Sequence, residues 1–215
     1  MRNLLSYLFP QNILKQKSAL NGLLEVNLVK GKKILDSSHS NYSFGSLQKI
    51  LKRGIQEIPL ITESKNILIL GMGAGSVVET LRNDFNSNAQ IDLVDFDPVI
   101  IEIAKQHFNL HLKENVKLIE ADAHQYLKEC EQQYELIIVD LFIDNHIPEK
   151  FIGTDFIQHL TKQLTKKGSI VFNTMKQTLS LEKRQRLQES FKNLNLLVKT
   201  IERVQGTNDL LIIKK

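Results

Sequence analysis

Asn66-Ile-Leu-Ile-Leu-Gly-Met-Gly-Ala-Gly-Ser76 runs from an apolar, strand-like pentad into glycines at alternate positions, and a helix-like segment follows. Glycines at 71, 73 and 75 let the backbone turn tightly and approach a ligand where a side chain would block it. The next strand-like run, Ile91-Asp-Leu-Val-Asp95, ends in a carboxylate 24 residues after Gly71. That distance suits an acid gripping two ribose hydroxyls. A plain βα turn needs no such concentration of glycine, so the pair predicts a nucleoside site. A dinucleotide fingerprint has its third glycine at the sixth position, where the helix N-terminus receives a pyrophosphate. Here that position is Ser76, which favours a ligand without phosphates.

Outward from this stretch, strands and helices alternate as a parallel α/β sheet requires. Strands are predicted over 66–70, 90–95, 116–120, 135–140 and 169–173, with helices near 76–84, 98–107, 123–131, 155–166 and 181–194. The last two runs, 196–203 and 210–214, flank Gly206-Thr-Asn-Asp209 with no room for a helix, so they are expected to pair antiparallel. Upstream, 23–29 and 33–36 bracket Lys30-Gly-Lys32 as a hairpin, and Ser43 to Gln56 reads as a helix stopped by Pro59. Residues 1–21 are expected to form a short amphipathic helix. The expected organisation is an N-terminal helix and hairpin extension over 1–60 followed by a nucleoside-binding domain over 61–215.

The chain has 215 residues, 42% of them hydrophobic, enough for one α/β core with a small appendage. No apolar run reaches the roughly 18 residues of a membrane span, and the opening residues do not read as a signal peptide. A cytoplasmic protein without membrane association is expected. Residues 1–60 hold nine Lys or Arg against three acids, and 61–215 hold 19 against 21. The basic surplus is interleaved without an aromatic platform, so no nucleic-acid partner is predicted. Cys130, the single cysteine, has no disulfide partner and reads as a packed side chain. His107 and His111 have helical spacing but lack a third ligand, so no metal is expected. Gly-x-Ser-x-Gly is absent, which excludes that nucleophile elbow.

Ligands of open α/β sheets sit beyond the carboxyl ends of the strands. This chain puts Gly71, Asp95, Asp122 and Asp140 there. Asp97-Pro98 reads instead as a helix cap. Asp122 also starts a helix and caps it in one reading. Phe96 offers an apolar face to a base or to the core. His146, in the loop after Asp140, is a candidate proton acceptor, although a lone loop histidine is more often simply exposed.

The Gly71-x-Gly73-x-Gly75 form resembles the first motif of class I S-adenosylmethionine-dependent transferases. Over 66–173 the chain is more specifically similar to the spermidine synthase branch. Gly71-Met-Gly-Ala-Gly-Ser-Val-Val-Glu79 is similar to its glycine loop, Val94-Asp-Phe-Asp-Pro-Val-Ile-Ile-Glu102 to its ribose motif and Ala121-Asp-Ala123 to its adenine motif. The resemblance implies a Rossmann-like, mostly parallel seven-stranded sheet with one reversed terminal strand. It implies S-adenosylmethionine held by Gly71, Met72, Gly73, Gly75, Asp95, Phe96, Asp122, the Ala123 backbone and Asp140. Asp140 would face both sulfonium and acceptor.

Two departures bear on the reaction. Aminopropyltransferases of this branch carry a second Asp three residues after the position of Asp140; here it is Ile143, with Asp144 one place further. Their N-terminal acidic signature falls near 39–50, which reads His-Ser-Asn-Tyr-Ser-Phe-Gly-Ser-Leu-Gln-Lys-Ile without an acid. A diamine would then lack its anchors, and burying two unpaired ammonium groups is costly. The loop from 140 to 156 looks like that of spermidine-synthase-like proteins described as methyltransferases. Asn-Pro-Pro-Tyr, which marks many nucleic-acid amino methylases, is missing after Val139. The expectation is a methyltransferase acting on a small neutral or anionic acceptor, possible as a homo-oligomer. Aminopropyl transfer from decarboxylated S-adenosylmethionine and a non-catalytic binding protein stay open.

Overall fold

The computed structural model describes residues 2–37, 41–43, 45–59, 61–143 and 145–215. Strands β5 (Asn66–Leu70), β6 (Gln90–Asp95), β7 (Val116–Glu120), β8 (Tyr134–Val139), β9 (Leu164–Met175), β10 (Leu197–Val204) and β11 (Asn208–Lys214) form one sheet. Its order is β10-β11-β9-β8-β5-β6-β7. All neighbours from β9 to β7 run parallel, and β11 is inserted antiparallel between β9 and β10. The expected α/β architecture, with its single reversed terminal strand, is what the chain adopts.

Period-two alternation explains why both faces of this sheet are covered. Ile67 and Ile69 enter one core with α2 (Gly45–Ile55), α3 (Ser76–Asn83) and α4 (Pro98–Phe108). Leu68 and Leu70 enter the other with α5 (Ala123–Glu129), α6 (Thr154–Lys162) and α7 (Leu181–Lys192). Among the described residues, three helices on each face cover the sheet, whose central strand β5 is apolar and buried from Ile67 to Leu70.

The hairpin expected over 23–36 forms, as strands Gly22–Val29 and Lys32–Ser37 paired antiparallel, but residues 1–21 differ from expectation. Helix α1 covers only Arg2–Leu5, and Gln11–Ser18 is a strand, β1. It joins β2 (Gly22–Val29), β3 (Lys32–Ser37) and β4 (Asn41–Ser43) in an antiparallel sheet ordered by sequence. Alternation in this segment is that of a strand: β1 pairs with β2 from Gln11↔Leu28 to Ser18↔Gly22, through a bulge between Asn12 and Leu14 that blurs its period. Another difference lies at 163–168, where the helix expected to reach 166 ends at Lys162 and β9 begins at Leu164. Buried Leu164 pairs with Tyr134, while Ser169 pairs with Leu136, so the intervening residues bulge out of the ladder. Phe44, counted above within the second helix, lies outside the described residues.

Asp97 ties the small sheet to the large one. Its Oδ1 accepts the Val99 N–H at 2.9 Å, capping α4. Its Oδ2 accepts from Ser18 Oγ at 2.5 Å and Asn21 Nδ2 at 2.6 Å, in the β1–β2 turn. The carboxylate is only 1% exposed, and removing it strands these donors in the interior. Asp97→Ala is expected to cost about 2–4 kcal/mol, as a lost cap plus unsatisfied buried groups. Urea denaturation checks this; an unchanged midpoint contradicts the clamp.

Candidate functional site

The carboxyl ends of β5, β6 and β8 are brought level by backbone bonding. Gly71 N–H donates to Val94 O and Asp140 N–H to Leu70 O, both at 2.9 Å, and Ala121 N–H donates to Asp95 O at 2.9 Å. Gly71, Asp95 and Asp140 therefore share one edge, and beyond it opens a cavity of about 350 Å³. Gly71, Gly73, Asp95, Phe96, Ala123 and Asp140 line it. A Cβ on Gly71 would stand 2.2 Å from Asp140 O, and its φ is +87°; only glycine lets these strand ends come so close.

The other sequence candidates lie around this cavity without lining it. Met72 is buried, and its N–H donates to Asp95 Oδ2 at 3.1 Å. Gly75 closes the turn into α3 at φ +78°, where a Cβ would meet Leu110 at 2.6 Å. Asp122 Oδ1 accepts the N–H groups of His124 and Gln125, capping α5, and its Oδ2 pairs with Lys150. Burial works to raise the pKa of this carboxyl, but Lys150 and the cap bonds prevail and hold it below its usual value. His146 is exposed, and its backbone pairs with Ile143. Asp144 lies outside the described residues.

Asp95 is nearly buried, with its carboxylate accepting the Met72 and Asp97 N–H groups. Burial pushes its pKa up to about 6, against those two bonds. Asp140 receives the Asn173 side-chain N–H at 2.8 Å. Its pKa is likewise pushed up to about 6, by burial first and then by Asp95, with Asn173 opposing. An acid whose folded pKa is raised holds its proton longer when folded, so stability falls as pH rises from about 4 to about 6. Asp140→Asn should therefore stabilise the ligand-free protein by about 1–3 kcal/mol near pH 8 and by little near pH 4. Melting midpoints across that range check it; an equal or negative effect at both ends contradicts it.

Several lining residues escaped the sequence reading: Ser46 of α2, Asn145, Asn173, Gln177, Thr207 and Asn208. Asn173 had a signal, since it is polar and near the carboxyl end of the predicted strand 169–173. Asn208 had none, because only the pairing of β11 with β9 brings its turn to this edge. Among the described lining residues, Asp95 and Asp140 are the charged ones; the rest of the polar lining is amide or hydroxyl.

Residues 48–203 match the family model of the spermine/spermidine synthase domain. The polyamine aminopropyltransferase of Vibrio vulnificus (strain CMCP6) is 32% identical over 113 residues, which cover 51% of this chain and 38% of that protein. The chain thus spans about two fifths of the length of that relative. Spermidine synthase from Thermotoga maritima superposes with TM-score 0.67 at 14% identity, covering 95% of this chain and 73% of that one. Human methyltransferase-like protein 13 in complex with SAH superposes with TM-score 0.63 at 24% identity, covering 79% of this chain and 82% of that one. These two likenesses establish the fold.

Proposed function

Because this chain belongs to the spermine/spermidine synthase domain family, we propose that it is an S-adenosylmethionine-dependent methyltransferase acting on a small acceptor. The charge inventory of the cavity carries this reading: among the described lining residues, two carboxylates, Asp95 and Asp140, stand amid neutral amides and hydroxyls. Aminopropyl transfer brings together a decarboxylated sulfonium bearing an ammonium group and a diamine, which is far more positive charge than these acids offset. S-adenosylmethionine carries its own carboxylate and has a single net positive charge, which these two acids suffice to offset.

The donor set fits such a nucleoside. Asp95 has its carboxylate at the cavity wall, fixed by two backbone N–H groups, with lone pairs left for ribose hydroxyls. Gly71 and Gly73 present bare backbone, and Phe96 and Ala123 form the wall beside them. When bound, the sulfonium supplies an already activated methyl carbon. What remains for the chain is to align the acceptor and keep water out. Asp140 stabilises the cation and orients what approaches it; His146, exposed and outside the lining, is not given the role of base.

Aminopropyl transfer is the second reading, favoured by the name of the Vibrio relative. Product analysis separates the two. Methyl transfer leaves S-adenosylhomocysteine, and aminopropyl transfer leaves methylthioadenosine. We expect the former across a panel of small neutral and anionic acceptors. Methylthioadenosine formed with putrescine reverses the assignment, and binding without turnover across the panel supports a non-catalytic role.

A further inference from the structure

Three side chains behind Asp140 are hydrogen-bonded in series. Thr207 Oγ1 donates to Asn208 Oδ1 at 2.7 Å, Asn208 Nδ2 to Asn173 Oδ1 at 2.9 Å, and Asn173 Nδ2 to Asp140 Oδ1 at 2.8 Å. Asn173 and Asn208 are 1% and 5% exposed, so water does not readily replace a missing partner. Thr207 lies at the exposed rim. Every donor in the series points toward Asp140. Reversing the two amides would set the Asn173 carbonyl against the carboxylate, which is tolerable only when Asp140 carries a proton.

We infer that Asn173, Asn208 and Thr207 are positioning residues whose aligned dipoles keep Asp140 ionised and aimed into the cavity, so that the site prefers a cationic sulfonium to its neutral thioether product. This rests on the function proposed above. It gives the site a reason to release product: methyl transfer removes the positive charge, and the carboxylate held ready for that charge loses its partner. The other titratable group facing Asp140 is Asp95 of β6; α2, β9, β11 and the loop after β8 contribute only uncharged described side chains to the lining. Asp209, next to Asn208, is paired with Arg184 at 2.9 Å and accepts the Arg203 N–H. Burial drives Asp140 toward its protonated form and Asn173 opposes it, the direction the series requires.

The test titrates the Asp140 carboxyl carbon by NMR in the full chain, with its signal identified by Asp140→Asn. Asn208→Leu should raise the titration midpoint by about half to one pH unit, and Thr207→Val by less in the same direction, as the bonds that hold the Asn173 N–H toward the carboxylate are lost. Thr207→Ser, which keeps the hydroxyl, should restore the wild-type curve. In calorimetry near pH 7, the preference for S-adenosylmethionine over S-adenosylhomocysteine should drop about 3- to 10-fold in Asn208→Leu. A general packing defect would weaken both ligands alike. If Asn208→Leu fails to fold, the pair at exposed Thr207 decides the matter. Superimposable titration curves for Thr207→Val and wild type overturn the series. Shifted curves in a protein that binds neither nucleoside overturn the proposed function and the discrimination with it, while the series itself stands.

Discussion

Gly71→Val is expected to leave little folded protein, with a loss of more than about 4 kcal/mol. Two penalties coincide there. The backbone sits at φ +87°, and the first side-chain carbon alone would lie 2.2 Å from the Asp140 carbonyl oxygen. Neither obstacle is the end of a flexible side chain that can swing away. The carbonyl belongs to the strand end of β8, whose Asp140 N–H is already bonded to Leu70 O at 2.9 Å. Accommodating a valine means parting β5 from β8 at the middle of the seven-stranded sheet. Gly71→Ala meets the same first contact and should fail nearly as badly. Circular dichroism and urea denaturation of both variants read the outcome, and a normal midpoint for Gly71→Ala would mean that the strand ends are not held this closely.

Asp95→Ala is expected to act on the ligand rather than the fold. Its carboxylate is the acid at the end of β6, set by the Met72 and Asp97 N–H groups and facing the cavity. Charged hydrogen bonds to two hydroxyls are worth about 1–3 kcal/mol together, so affinity for S-adenosylmethionine should fall roughly 5- to 150-fold. Stability of the ligand-free protein should move much less. Burial already disfavours this ionised group and holds its pKa near 6, so removing it relieves one cost while leaving two backbone donors without their acceptor. Calorimetry paired with a melting curve separates these effects, and unchanged affinity would take Asp95 out of the site.

The central architecture was legible because it rests on local signals. Asn66–Leu70 is apolar at every position after the first, which only a strand buried on both faces requires, and the glycines follow without a gap. Asp97-Pro98 announced a capped helix and is one. What stayed hidden depends on partners distant in sequence. Gln11–Ser18 is a strand because β2 lies beside it; its own alternation is too weak to choose. Asp122 was readable as a helix cap, but its pairing with Lys150 joins residues 28 apart. The series ending on Asp140 is likewise tertiary, since Asn173 and Asn208 meet only through the antiparallel pairing of β9 and β11.

Calorimetry on the full chain with S-adenosylmethionine, its decarboxylated form and NAD tests the account most directly. The glycine-lined edge, with its two acids and neutral amides, should bind S-adenosylmethionine, bind the decarboxylated form more weakly and give no heat with NAD. A site that takes up NAD, or prefers the decarboxylated nucleoside, would contradict it.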